Sequence, residues 1–221
     1  MVKKSLSRIY LAIIFLFLYL PIGVLIVLSF NNSLSRVKWG GFTTEWYRNL
    51  VSDPTIMNAF YTTILITVAS SVIATIIGTM AAIGISAMRK RNRQIMLGAT
   101  NIPLLNADIV TGISLMLLFV AYQRFAEGVS WLPDTIMGMP TLLIAHIAFN
   151  VPYVIFNVTP KLKQLDIKLY EAALDLGCDP RQAFFKVILP EISPAILSAF
   201  LICLTYSIDD FMISYFNCGT V

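Results

Sequence analysis

The stretch Tyr170-Glu171-Ala172-Ala173-Leu174-Asp175-Leu176-Gly177-Cys178-Asp179-Pro180-Arg181-Gln182-Ala183-Phe184-Phe185-Lys186-Val187-Ile188-Leu189-Pro190 reads as two short helices joined by a turn. Leu169, Ala172, Ala173 and Leu176 fall at i, i+3, i+4 and i+7 and form one apolar helical face. Glu171 and Asp175, four residues apart, form an acidic one. Gly177 can take the left-handed conformation that ends a helix. Asp179 is then placed to cap a second helix, with Pro180 at its first position and Gln182 at its third. Ala183, Phe184, Val187 and Ile188 give that helix an apolar side. Leu189-Pro190 is expected to end it, and Ser193-Pro194 to start the next segment in the same way.

Apolar runs flank this polar element. The chain has 221 residues, of which 57% are hydrophobic and 13% charged, against about 25% charged in a soluble domain. Its mean hydropathy is +0.78. About 20 apolar residues cross a bilayer core, and five candidate spans appear, at about 9–30, 59–88, 95–122, 140–160 and 194–216. The first run follows Lys3, Lys4 and Arg8, exceeds the ~7–15-residue core of a signal peptide and lacks a small-x-small cleavage site, so it reads as an uncleaved span. The expected architecture is an all-α polytopic membrane protein, a single transmembrane domain over residues 1–221.

Lysine and arginine orient the spans. The N-terminus contributes three (Lys3, Lys4, Arg8), residues 89–94 four (Arg89, Lys90, Arg91, Arg93), and residues 161–193 five (Lys161, Lys163, Lys168, Arg181, Lys186); the opposite side holds only Arg36, Lys38, Arg48 and Arg124. Twelve against four places the N-terminus and the 161–193 loop in the cytoplasm. Trp39, Trp46 and Trp131 fall in the outer connections, where interface anchors sit; Trp39 and Trp46 are also candidates for a docking surface. No basic stripe interleaved with aromatics points to nucleic acid. The net charge of +4 thus matters through its distribution.

The 170–190 stretch resembles the Glu-Ala-Ala loop of ABC importer permeases, in which Glu-Ala-Ala is followed by a Gly four residues after the second Ala, then by a hydrophobic residue, any residue, Leu and Pro. Further segments are similar to spermidine/putrescine permeases of the C-type subunit family. They are Ser29-Phe30-Asn31-Asn32-Ser33 with Trp39-Gly40-Gly41-Phe42-Thr43-Thr44-Glu45-Trp46-Tyr47, Asp108-Ile109-Val110-Thr111-Gly112-Ile113-Ser114-Leu115, and Ser207-Ile208-Asp209-Asp210-Phe211. Related permeases for iron, thiamine or other cations share parts of them. Asn106-Ala107 precedes Asp108 where a Pro is common in the family.

The resemblance implies a type I ABC importer transmembrane domain in the bacterial plasma membrane, forming half of a polyamine pathway with a second permease subunit. A cytoplasmic ATPase dimer would dock on Glu171, Ala172, Ala173, Asp175, Gly177, Asp179, Pro180, Leu189 and Pro190. An extracytoplasmic binding protein would deliver substrate. Family members usually have a sixth span; five leave the last residue outside, so the sixth is expected to be missing from this chain. No Gly-x-x-x-x-Gly-Lys-Ser/Thr phosphate loop occurs, so ATP and Mg belong to the ATPase, and this chain is expected to bind no cofactor and to catalyse no covalent chemistry.

Charges inside spans are costly and usually face an interior or a watery path. Asp108 lies ~22 Å beyond Arg93 if the run between is helical. Asp209 and Asp210 lie a similar distance beyond Pro194. Adjacent helical residues point about 100° apart, so these two are not expected to face one spot. Asp108, Asp209 and Asp210 are candidates to line a pathway and offset a polyammonium charge, or to make interhelical hydrogen bonds. Tyr206 and Phe211 could hold an alkyl stem or an ammonium group, or pack against lipid. His146, the only histidine, reads as a buried, hydrogen-bonded ring. Cys178, Cys203 and Cys218 fit neither a zinc site nor a disulfide framework. Ala74, Gly78 and Ala82 recur every four residues and predict close helix approach. An ion-gradient-driven secondary transporter would also place Asp in spans, but would not need the capped loop. An intramembrane aspartyl protease would need Gly-x-Gly-Asp, which is absent.

Overall fold

The computed structural model describes residues 2–33, 35, 38–126 and 138–219; Arg36 and Trp131 lie outside them. Ten α-helices and one π-helical turn follow one another among the described residues, with one antiparallel bridge between Asn31 and Phe42. Helices dominate because hydrocarbon offers no partner to a backbone N–H or C=O, and a helix satisfies both within itself. Among the described residues five stretches are long and apolar enough to cross a bilayer: Ser7–Leu28, Pro54–Ala87, Asp108–Ala126, Met139–Gln164 and Pro180–Asp209.

The chain divides into two compact units, Met1–Tyr61 and Thr62–Val221. The first contains α1 (Val2–Leu28), α2 (Glu45–Ser52) and the start of α3 (Pro54–Ala87). Every described side chain of α1 up to Val27 is exposed, and a helix apolar on all sides belongs in lipid or against other helices. The connection after it is built around Asn31. This buried side chain accepts from the backbone N–H of Ser33 (3.2 Å) and Gly40 (2.7 Å) and donates to the Lys38 carbonyl (2.8 Å). Trp46 Nε1 donates to the Asn31 carbonyl at 2.9 Å, and Phe30 stacks on Phe42. Trp46 is therefore held by the loop while its ring remains partly exposed, as does Trp39.

The second unit is organised by α6 (Met139–Gln164). It packs on α9 (Leu189–Asp209), α4 (Lys90–Leu105), α5 (Asp108–Ala126) and α10 (Met212–Asn217). Val154 and Val158 of α6 meet Ala82 of α3 and Ala199 and Cys203 of α9 in one buried cluster. Ala145, Phe149 and Ile213 form another. Cys178, Cys203 and Cys218 are free thiols. In a bilayer, helices associate through close packing and polar contacts because lipid tails are as apolar as the side chains. The small-residue ladder of α3 provides that packing: Ala74 and Ala82 are fully buried. A Cβ built on Gly78 would lie 2.6 Å from Val154 Cβ.

Three expectations need correction. The third run is not one helix from 95 to 122: α4 ends at Leu105, Asn106 is extended (φ −77°, ψ 148°), and α5 starts at Asp108. Leu189-Pro190 does not end a helix either. α8 (Pro180–Ala183) runs through a π-turn, Phe184–Ile188, directly into α9. Pro190 has no N–H and its ring crowds the carbonyl four residues back. The wider turn, in which Leu189 N–H donates five residues back to Phe184 O, carries the helix past it. Likewise Ser193-Pro194 starts nothing: Pro194 lies inside α9. The Pro190 carbonyl, deprived of a backbone donor by Pro194, accepts from Ser193 Oγ at 2.8 Å.

Gly78→Ala is expected to destabilise the bundle by about 1–3 kcal/mol through overpacking. Adding Val154→Ala should not restore it, because the opposing Cβ remains; thermal unfolding in detergent checks both.

Candidate functional site

Two regions of the second unit hold the candidate site residues. The first is the helix–turn–helix. α7 (Ile167–Asp175) begins at Asp166, whose side chain accepts from the N–H of Lys168 at 3.0 Å. Its last carbonyls are closed by the turn: Cys178 N–H donates to Ala173 O (3.1 Å) and Gly177 N–H to Leu174 O (2.9 Å). This paired six-to-one and five-to-two pattern needs a left-handed residue, and Gly177 has φ +85°. Asp179 occupies the cap position before Pro180, but its side chain makes no capping bond; only its carbonyl engages, accepting from Ala183 N–H.

Of the predicted apolar face, only Ala173 is buried (8% exposed); Leu169, Ala172 and Leu176 are exposed, Leu176 by 86%. Glu171, Asp175, Gly177, Asp179, Pro180 and Pro190 are exposed too, and Leu189 is half-buried. The structure therefore presents a capped element most of whose predicted apolar face is uncovered.

The second region is a cavity of about 250 Å³. Its walls include three carboxylates, Asp108, Asp209 and Asp210, and four aromatic rings, Phe149, Tyr153, Tyr206 and Phe211. Among the described residues no lysine or arginine lines it. Every pathway residue singled out in the sequence is here, and Phe149, Tyr153 and Met212 join them. Those three have no charge or motif to mark them; Tyr153 is placed by stacking, its ring 4.6 Å from Tyr206 and 5.2 Å from Phe149.

The carboxylates meet because two spans are interrupted. Asp108 is the first residue of α5, where a negative charge suits the helix dipole. α9 ends at Asp209, and Asp210 is extended (φ −76°, ψ 100°). The expectation that Asp209 and Asp210 cannot share one spot assumed an unbroken helix, and the break removes the 100° rule. Asp210 Oδ1 accepts from Ile213 N–H at 3.2 Å and so starts α10.

His146 lies behind Asp210, 2% exposed. Its Nδ1 is 2.8 Å from Ser207 Oγ and its Nε2 is 3.1 Å from Ser214 Oγ and 3.9 Å from Asp210 Oδ2. Ser207 Oγ in turn lies 3.3 Å from Ser70 Oγ of α3. Among the described residues no group of His, Cys, Asp and Glu is arranged to hold a metal ion.

The chain is thus a multi-span helical bundle with an acidic, aromatic-lined cavity and an exposed helix–turn–helix, the architecture of a membrane transport subunit. Residues 74–220 match the family described as binding-protein-dependent transport system inner membrane component, and the chain belongs to that family. It is 38% identical over 206 residues to the putrescine transport system permease protein PotI of Escherichia coli K12, covering 93% of this chain and 72% of that protein. It is 33% identical over 219 residues to the spermidine/putrescine transport system permease protein PotC of the same strain, covering 99% and 79%. Among solved structures, a chain of a bacterial ABC transporter involved in the import of the acidic polysaccharide alginate superimposes with a TM-score of 0.72 at 15% identity, covering 99% of this chain and 84% of that one. The fold is thus that of an ABC transporter permease, a multi-pass membrane subunit and not itself an ATPase.

Gly177→Ala forces a Cβ into the left-handed region, a strain of about 1–2 kcal/mol. Amide hydrogen exchange should speed up at Gly177 and Cys178, whose N–H groups close the turn, and stay unchanged in α6; no change at the turn would contradict its geometry.

Proposed function

We propose that this chain forms half of the translocation pathway of an ATP-driven polyamine importer. The observation that carries this reading is the cavity itself. Three carboxylates stand among four aromatic rings, with no basic side chain among the described residues of the wall. Polyamines are flexible alkyl stems punctuated by ammonium groups. Carboxylates offset the charges, and ring faces attract ammonium groups and pack against methylenes. PotI and PotC, named for putrescine and spermidine, support the same substrate class.

In this reading residues 1–221 act as one permease domain in the bacterial plasma membrane. The lysine and arginine asymmetry supports a cytoplasmic N-terminus and helix–turn–helix. An ATPase dimer docks on the exposed face around Ala172 and Leu176, with Glu171 and Asp175 offering charge to basic partners. ATP and Mg are bound and consumed there. A second permease subunit completes the pore, and a binding protein releases substrate on the outer side. Closure of the ATPases moves the capped element as a rigid lever, and bundle rotation exchanges outward for inward access.

Two measurements test it. Cells lacking their own polyamine importers, supplied with the complete transporter, should accumulate labelled putrescine or spermidine. The Asp108→Asn/Asp210→Asn double variant should lose at least tenfold, given ~1.5–3 kcal/mol for each charged hydrogen bond; undiminished uptake would overturn the assignment. Ala172→Arg should leave the chain in the membrane but abolish co-purification of the ATPase; retained ATPase would place docking elsewhere.

A further inference from the structure

A larger cavity, of about 650 Å³, lies at the other end of the bundle, within the ~300–1,000 Å³ range of ligand sites. It opens where two spans finish: Ala87 is the last residue of α3, and Leu162 and Lys163 lie in the last turn of α6. α4 contributes Arg93, α7 contributes Tyr170, and the π-turn contributes Phe184 and Ile188. The wall is mostly apolar. Ile83, Leu162, Leu165, Phe184 and Ile188 are all half-buried, so the bundle itself does not finish covering them.

Two cations stand in this apolar wall, Arg93 and Lys163, and among the described residues no carboxylate lines it. Neither side chain makes an ion pair or hydrogen bond among the described residues, and nor does the Tyr170 hydroxyl. The neighbouring acids are engaged elsewhere. Glu191 pairs with Lys161 at 2.8 Å, and Asp166 caps α7 through Lys168 N–H. Arg93 is half-buried, whereas Arg89 and Arg91 of the same connection are exposed. A partly desolvated charge without a counter-charge is costly, so the cavity favours an anion. Its walls favour hydrocarbon. The ligand that meets both demands has a negative head and an apolar tail, and the bilayer around the spans supplies such molecules. Basic pockets between helices at a membrane surface seat anionic headgroups, and a guanidinium matches two phosphate oxygens at once.

We propose that this cavity is a binding site for one anionic phospholipid, with its phosphodiester held by Arg93 and Lys163 and an acyl chain laid along Ile83, Leu162, Phe184 and Ile188. The Tyr170 hydroxyl donates to the same headgroup. The lipid touches α3 and α6 on one side and the helix–turn–helix on the other, through Tyr170, Phe184 and Ile188. It therefore fills the gap between the bundle and that element. The site is independent of the acidic cavity and of what passes through it.

The test is native mass spectrometry of the complete transporter, delipidated in detergent and titrated with dioleoyl phosphatidylglycerol or, separately, dioleoyl phosphatidylcholine. The rest of the complex contributes equally to every sample, so differences between variants of this chain report this site. Arg93→Gln/Lys163→Gln should weaken binding of one phosphatidylglycerol about thirtyfold, at about one surface-charge contact for each cation. Arg89→Gln/Arg91→Gln removes the same charge outside the cavity and should stay within about twofold of the wild type. Equal weakening by both pairs would reduce the effect to general attraction by a basic surface and overturn the proposal. Ile83→Trp fills the apolar wall but keeps both cations, and should weaken binding as well; unchanged binding there removes the acyl seat. If the glutamine pair fails to assemble, Ile83→Trp decides. Glycerol 3-phosphate, a headgroup without chains, should not displace the lipid; displacement would make a soluble phosphate the ligand. Equal binding of phosphatidylglycerol and phosphatidylcholine by the wild type would leave the groove to a partner protein's segment. The readout is lipid retention, so none of these failures touches the polyamine reading.

Discussion

Negative charge without an internal counter-charge governs this structure. Asp108, Asp209 and Asp210 converge on one cavity, and among the described residues none that lines it is basic. In a low-dielectric bundle such charge is costly unless something compensates for it. Helix geometry offsets part of the cost. Asp108 sits at the start of α5, and Asp210 holds the start of α10 through Ile213 N–H. The remainder is what the proposed polyammonium substrate would offset, with the surrounding rings packed along its stem.

Chain interruptions make this convergence possible. A continuous helix could not aim both Asp209 and Asp210 at one point. The extended conformation of Asp210 lets it, and the break at Asn106 puts Asp108 at a helix end instead of in mid-helix. Broken helices at a binding site are tolerated in membranes where the freed backbone lines a cavity.

The number of spans was legible in the sequence because apolar runs and basic connections are written directly into it. So were the turn at Gly177, through glycine's steric freedom, and the small face of α3. The cavity's acids were legible because charge inside a span is rare. What could not be read depends on tertiary partners. Asn106 has no glycine or proline beside it to announce a break. The π-turn before Pro190 is one of several ways to accommodate a proline. Tyr153 and Phe149 look like ordinary packing residues until α9 brings Tyr206 against them. His146 meets Ser207 and Ser214, 61 and 68 positions away, a distance at which no local pattern speaks.

The central claim is that the acidic cavity receives the ammonium groups of the transported molecule. A cryo-electron microscopy structure of the complete transporter, trapped with spermidine after release from its binding protein, tests this most directly. The account predicts density for the polyamine between the carboxylates of Asp108 and Asp210, with its stem along Tyr153 and Tyr206. A lysine or arginine of the second permease subunit filling that cavity, with the polyamine bound elsewhere, would contradict it.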